Sequence, residues 1–322
     1  MTVQTAGSRL VVGATVAVLI GALIAPLVPP LGLPLAALGI AILAYGGRGV
    51  QAVVLSAVGI AGVTFMDPTN ALFVAPVLAV ILLSLPWLRS RSALSIGSVY
   101  VAVATVAGVV SDATWAYLSG TDLVKFARES VDATIDQTTD ILLSAGIASS
   151  EVTTEVIEAW RDLMFRLWPM SYFETGLIVG LIGVFAVTYG ARLVGVETKR
   201  LPRLRDVDLS VHVLWALVFG LLLLAAEKLL GDGGWLVGTV GLNLLLSARW
   251  LFFAQGMGVG AAALERRKVG RVGRLIYYLV MIVADTLFYA MSFVGLFDFW
   301  INIRKIERKD GKAKASLEEP TS

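Results

Sequence analysis

Cysteine is absent from the 322-residue chain, and histidine occurs once, as His212. Without thiols the chain has no disulfide and no thiolate metal site, and one imidazole cannot supply a zinc centre built on several histidines. We therefore expect no metal and no cofactor. Charged residues are also scarce, at 16% of the chain against about a quarter in soluble domains. This shortage argues against a soluble protein.

Enzyme motifs are missing as well. The sequence has no HExxH, no Walker A loop and no GxSxG. Asp285 and Asp298 are the aspartates that an intramembrane protease would use, but on one straight helix they would stand about 20 Å apart. The net charge is only +2, and the basic residues are scattered over loops. They form no basic face of the kind that would indicate a nucleic-acid partner. We expect a protein that is not an enzyme.

Long apolar runs dominate what is present, and 57% of the residues are hydrophobic. In hydrocarbon the backbone must satisfy its own hydrogen bonds, so each run should be a helix. The sequence predicts an all-α polytopic transmembrane bundle with about 8–10 membrane segments and the lipid bilayer as a partner. The last two runs are too long for one upright span, so each must tilt, project or break. The runs cover residues 10–27, 33–46, 50–66, 71–88, 94–118, 170–191, 211–230, 235–264 and 275–303.

Basic residues occur on alternate loops, which the positive-inside rule assigns to the cytoplasm. Arg9 and the basic C-terminal tail then predict that both termini lie on the cytoplasmic side of a bacterial plasma membrane. Nine complete spans would put the tail outside. We therefore expect an even number of crossings, with one segment broken or re-entrant.

Residues 119–167 are unlike the rest, because acidic and apolar residues alternate there at helical spacing. Two amphipathic helices separated near Gly146 are predicted to form an extracytoplasmic insert, either a solvated cap or a surface for a lid or partner. The expected division is membrane helices over 1–118, the insert over 119–167, membrane helices over 168–306, and a disordered cytoplasmic tail over 307–322.

Small residues recur every fourth position in the first run, at Gly13, Ala17, Gly21 and Ala25. Such a stripe lets a second helix approach closely. It predicts either packing within the chain or a docking face for another membrane subunit.

Polar residues inside the last two runs are the candidate site. Ionisable groups within a membrane are costly and usually face a cavity or a partner. Asn243, Arg249, Gln255 and Asp285 are the predicted ligand-binding residues, although Arg249 and Asp285 could also form a purely structural pair. A structural role is predicted for the residues that close the last run, namely Asp298, Asn302 and Arg304.

The C-terminal third resembles the YybS-like family of membrane proteins of unknown function. The similar stretches lie within residues 170–306 and are Leu201-Pro202, Asn243 with Gln255-Gly256-Met257, and Gly295-Leu296-Phe297-Asp298 with Arg304. That family is thought to be related to the substrate-binding S components of energy-coupling-factor transporters. The resemblance implies an S-component-like bundle, a small-molecule pocket on its outer side, and a membrane coupling subunit that docks on the first span.

These observations favour a non-enzymatic membrane subunit that binds a small molecule or lipid and resembles a transporter S component. The alternative is a membrane scaffold or assembly factor, with an envelope protein as its partner.

Overall fold

The structure is a computed structural model that describes residues 7–144, 154–198 and 203–306. Within these ranges all regular structure is helical and no strand occurs, which confirms the all-α prediction. The chain divides into two compact units, Met1–Leu201 and Pro202–Ser322. The predicted boundary after residue 167 falls inside a continuous helix.

The first unit is built from seven α-helices within the described residues. Short irregular turns join several of them, including a π-helical turn with Gly47 at φ 83° between the second and third. The α-helices are α1 Ser8–Ile24, α2 Pro29–Leu43, α3 Gly49–Met66, α4 Pro68–Ser84, α5 Ala93–Leu118, α6 Leu123–Ser144 and α7 Thr154–Leu193.

Helix α2 is the centre of this unit. Ten of its fifteen residues are buried, and it contacts α1, α3, α4 and α7. Pro29 and Pro30 occupy its first turn, where a missing N–H costs nothing, so they begin the helix. Because Gly21 and Gly32 lie where α1 meets α2, a Cβ on Gly21 would stand 2.7 Å from the Gly32 carbonyl oxygen. The first two runs therefore form a close-packed helical hairpin.

Helices α5 and α7 also meet through small residues. A Cβ on Gly176 would stand 2.3 Å from Thr105 Oγ1, and one on Gly180 would stand 2.9 Å from the Val101 nitrogen. Gly176 and Gly180 are four apart on α7, which is the spacing of close helix pairs in membranes.

The two amphipathic helices predicted for residues 119–167 are α6 and the N-terminal part of α7. Arg161 on α7 joins them, since it pairs with Asp132 at 3.1 Å and with Asp136 on α6, while Glu158 of its own helix lies 3.6 Å away. Gly146 lies outside the described residues.

The second unit contains α8 His212–Leu230, α9 Trp235–Arg266, α10 Arg271–Phe288 and α11 Ala290–Ile301. Helix α9 packs against both α8 and α11. The ninth apolar run breaks between α10 and α11 with a bend of 93°, and Tyr289 takes the left-handed conformation there at φ 54°. The eighth run, by contrast, is one unbroken helix.

Six helical stretches in the described residues are long and apolar enough to cross a membrane, or up to seven if α10 with α11 is one span. This number is lower than the nine apolar runs. Helix α1 is short, with 17 residues, and α2 and α3 join into one stretch, Pro29–Met66. The polytopic membrane bundle is confirmed at this level.

Candidate functional site

Five of the seven predicted polar residues of the second unit fall into two separate clusters. The first lies at the break between α10 and α11, and we call it the break cluster: Arg249, Asp285, Ser292 and Tyr289. Arg249 Nη2 donates to Asp285 Oδ2 at 3.1 Å and to the Asp285 carbonyl at 3.2 Å. Asp285 is only 2% exposed. The pairing of Arg249 with Asp285 across helices, which the sequence indicated, is thus present.

The break cluster stabilises both helix ends that meet there. Asp285 Oδ1 accepts from the Ser292 backbone nitrogen at 2.7 Å, and Oδ2 accepts from the Ser292 hydroxyl at 3.1 Å. Ser292 lies in the first turn of α11, so a carboxylate from α10 acts as its N-terminal cap. Arg249 in turn donates to a carbonyl in the last turn of α10, where a cation interacts favourably with the helix dipole.

Arg249 does not use all its donors in this pairing. Both of its hydrogen bonds come from Nη2. Among the described residues its Nε is buried without a hydrogen-bond partner. The guanidinium lies 4.2 Å from the Tyr289 ring centre and 5.5 Å from that of Trp250, as in cation–π contacts. The side chain as a whole stays 21% exposed, although Nε itself is buried.

The second cluster closes α11, and we call it the lock: Gln255, Asp298 and Arg304. Asp298 is fully buried, and its Oδ2 accepts from Arg304 Nη2 at 2.9 Å and from Arg304 Nε at 3.0 Å. Gln255 Nε2 donates to the same oxygen at 3.3 Å. The Arg304 side chain is only 1% exposed.

The lock also fixes the segment that precedes α8. Arg304 Nη1 donates to the Arg205 carbonyl at 2.9 Å and to the Val207 carbonyl, and Gln255 Oε1 accepts from the Leu209 nitrogen at 3.1 Å. Gly258 makes room for this segment, since a Cβ there would stand 2.8 Å from the Leu204 carbonyl oxygen. Every nitrogen of the Arg304 guanidinium thus donates inside the protein.

The remaining predicted residues are elsewhere. Asn243 donates to the Thr239 carbonyl of its own helix at 2.8 Å. Asn302 takes the left-handed conformation at φ 47° after α11. Its Nδ2 donates to the Ile306 carbonyl at 3.0 Å, and its Oδ1 accepts from the Ile306 nitrogen at 3.0 Å. Asparagine suits such a helix end.

The predicted ligand-binding set is therefore divided by the structure. Arg249 and Asp285 are brought together, whereas Gln255 belongs to the lock and Asn243 binds its own backbone. The straight helix assumed between Asp285 and Asp298 is wrong, because the run bends at Tyr289. Each aspartate pairs with its own arginine.

The lock lies at the end of the second unit where α8 begins, whereas the break cluster lies near the middle of α9, with Arg249 14 positions after Trp235 and 17 before Arg266. Gln255 is level with Leu209, just before α8 begins, and Arg249 precedes Gln255 by six positions, about 9 Å of helix. The end at which the lock lies carries Arg203, Arg205 and Arg266. It is the end that the charge pattern assigns to the cytoplasm.

The small-residue stripe of α1 is used mainly inside the chain. Gly21 and Ala25 are buried against α2, where a Cβ on Gly32 would stand 2.4 Å from the Ala25 nitrogen. Ala17 is half-buried, and Gly13 is exposed with nothing within 4 Å of its Cβ position. A docking surface on α1 is thus narrower than the sequence indicated, because α2 already covers its second half.

Sequence reasoning missed several polar contacts in the first unit, and one of them joins α5 to α7. The Tyr172 hydroxyl on α7 donates to Asp112 Oδ2 on α5 at 2.6 Å. Gly108 leaves room for the tyrosine ring, because a Cβ on Gly108 would stand 3.0 Å from Tyr172 Cδ1. The acidic residue near the end of an apolar run was the available signal. Among the described residues no group of three or more metal-ligating side chains is assembled.

Residues 14–299 match the family described as Predicted membrane protein (DUF2232). The match covers most of the chain, so the protein belongs to this family. No curated protein and no solved structure matches it.

Proposed function

We propose that this member of the DUF2232 family is a non-enzymatic membrane subunit that binds a small molecule or a lipid, with Arg249 as the principal contact. One observation carries the proposal: a guanidinium within an apolar helix is partly exposed and donates to the described residues from Nη2 alone, which leaves donors for a ligand. Ionisable groups within membranes are costly to keep. A ligand with a strong hydrogen-bond acceptor would use those donors.

The comparison with Arg304 supports this choice. Both arginines pair with an aspartate, but Arg304 is fully enclosed and donates from all three nitrogens. Arg249 is partly exposed and donates from one. Structure alone accounts for Arg304, whereas Arg249 has capacity beyond its structural role.

The finer assignment to a transporter S component is part of the proposal. It is supported by the sequence resemblance and by the exposed part of α1 at Gly13 and Ala17, where a coupling subunit would dock. The outer pocket that the resemblance implies does not coincide with Arg249. If the basic end faces the cytoplasm, the ligand reaches Arg249 from that side.

The proposed orientation has both termini in the cytoplasm of a bacterial cell. Helix α10 begins after the basic end of α9, and Arg304 returns to Gly258 and to the segment before α8. The ninth run then leaves and re-enters the same end of the unit. Counting it as re-entrant gives the even number of crossings that the basic tail requires.

Thermal unfolding of the full chain in detergent, with a panel of metabolites, vitamins and lipids, tests ligand binding. A true ligand should raise the melting temperature of the wild type and of Arg304→Lys, and much less that of Arg249→Lys. Lysine can still pair with Asp285 but lacks the planar guanidinium. The proposal fails if no compound stabilises the wild type, or if Arg249→Lys responds in full.

A scaffold role is the second candidate, and the projecting part of α7 favours it. Helix α7 has 40 residues, about 60 Å, which exceeds a bilayer of about 40–45 Å. Its outer part exposes Val156, Trp160 and Leu163 along one stripe. A photo-crosslinking side chain at position 160 should capture an envelope protein in cells if this role holds. Capture of a coupling ATPase with the complex instead favours transport.

A further inference from the structure

The break cluster is electrically balanced. The positive charge of Arg249 faces the carboxylate of Asp285, and both carboxylate oxygens already accept hydrogen bonds from Arg249 or Ser292. Net charge therefore does not attract an anion here. The remaining attraction comes from the guanidinium donors, which bind a charged acceptor such as a phosphate oxygen more strongly than a neutral one.

The surroundings of the break are apolar and uncovered. Leu287 is 64% exposed, Phe288 72% and Phe293 52%. These side chains match hydrocarbon chains better than a purely hydrophilic ligand. A ligand with a phosphate and hydrocarbon chains satisfies both features.

The level of Arg249 fits the same kind of ligand. It stands about 9 Å along the helix from Gln255, which is level with the start of α8. From that depth a side chain as long as arginine can place its charged head near the membrane boundary while its stem stays in hydrocarbon. Phospholipid phosphates lie at that boundary.

We infer that Arg249 binds the phosphate of a phospholipid from the leaflet at the basic end, with acyl chains against Leu287, Phe288 and Phe293. This rests on the proposed function, which makes Arg249 the ligand contact. Because the cluster is balanced, recognition depends on the phosphate and not on the net charge of the lipid. Zwitterionic phosphatidylethanolamine and anionic phosphatidylglycerol should both bind.

The test adds four compounds to the full chain in detergent and measures bound lipid by native mass spectrometry and the melting temperature. The compounds are phosphatidylethanolamine, phosphatidylglycerol, a diacylglycerol with the same chains, and soluble glycerol phosphate. Both phospholipids should stay bound and raise the melting temperature, whereas diacylglycerol and glycerol phosphate should not. Arg249→Lys should weaken phospholipid binding by about tenfold or more.

Two further variants separate binding from folding. Arg304→Lys is the matched control, since it should lower the starting melting temperature and keep the phospholipid response. Phe288→Ser changes an exposed side chain, so it should fold and bind phospholipid more weakly.

The inference is overturned if diacylglycerol stabilises as well as the phospholipids, or if both Arg249→Lys and Phe288→Ser bind like the wild type. If glycerol phosphate or another soluble compound acts through Arg249 and phospholipids do not, the lipid inference fails and the proposed function stands. If nothing acts through Arg249, both fail.

Discussion

Replacing Asp298 by asparagine removes one charge from the lock without changing the shape of the side chain. In the wild type two nitrogens of Arg304 and one of Gln255 donate to Asp298 Oδ2. Neither member of the ion pair is exposed by more than 1%. Asparagine leaves a buried guanidinium without its nearest counter-ion, and its own amide adds donors to a site that already holds several.

The cost follows from that burial. Breaking a buried pair from one side typically destabilises by about 3–5 kcal/mol. Arg304 keeps two backbone acceptors, and Asp208 stands 3.6 Å away, so we expect the lower end, about 3 kcal/mol. Asp285→Asn should cost less, about 1–3 kcal/mol, because Arg249 is 21% exposed and can reach water or a headgroup.

Unfolding by SDS in mixed micelles, followed by tryptophan fluorescence, measures these differences. The double variant Asp298→Asn/Arg304→Gln removes both charges, and it should be more stable than the sum of the single changes predicts, by about 2 kcal/mol. The reasoning is refuted if Asp298→Asn lies within about 1 kcal/mol of the wild type, or if the two changes simply add.

Three other changes test the packing and the helix ends. Gly256→Ala places a Cβ 1.9 Å from the Met291 carbonyl oxygen, so it should destabilise by about 1–3 kcal/mol or more; Gly49→Ala, which meets nothing within 4 Å, is the control and should be neutral or slightly stabilising in the same unfolding assay. Gly176→Ala should push α5 and α7 apart and destabilise the protein by a similar amount. A pair of cysteines introduced across these helices should then form a disulfide more slowly. Asp67 caps α4 through Thr69, so Asp67→Ala should cost about 1 kcal/mol. The hydrogen bonds from Thr69 lower the pKa of Asp67. The contribution of Asp67 to the free energy of unfolding is therefore complete above the unfolded pKa of about 3.9 and is lost as the pH falls through the folded pKa. A pH series in which Asp67→Asn shows the same acid dependence as the wild type would contradict this.

Some contacts of the candidate site follow from the sequence and others do not. Arg249 and Asp285 are the opposite charges of two successive apolar runs, and the cost of isolated charges in a membrane is enough to pair them. Gln255 could not be placed in the same way. Its partners, Leu209 and Asp298, are 46 and 43 positions away along the chain. They meet at Gln255 only because the segment before α8 and helix α11 both pack against α9.

The break at Tyr289 shows the same limit. The sequence indicated that the run was too long, but neither glycine nor proline marks where it bends, and a non-glycine residue with positive φ is uncommon. The conformation is held by Asp285 and Arg249, which bind the two helix ends from outside the turn. Local propensity therefore does not reveal it. The Asp112–Tyr172 contact was missed because tertiary packing joins residues 60 positions apart.

The Arg249–Asp285 bond also has a consequence for how the chain is made. Its two residues are 36 positions apart, and ribosomes add about 5–20 residues per second. For about 2–7 s the insertion machinery therefore holds an arginine whose counter-ion has not yet been synthesised. Helix α9 should stay beside the insertion site until α10 emerges, so a ribosome stalled shortly before Asp285 should leave α9 accessible to water-soluble reagents that no longer reach it once translation has passed Ser292.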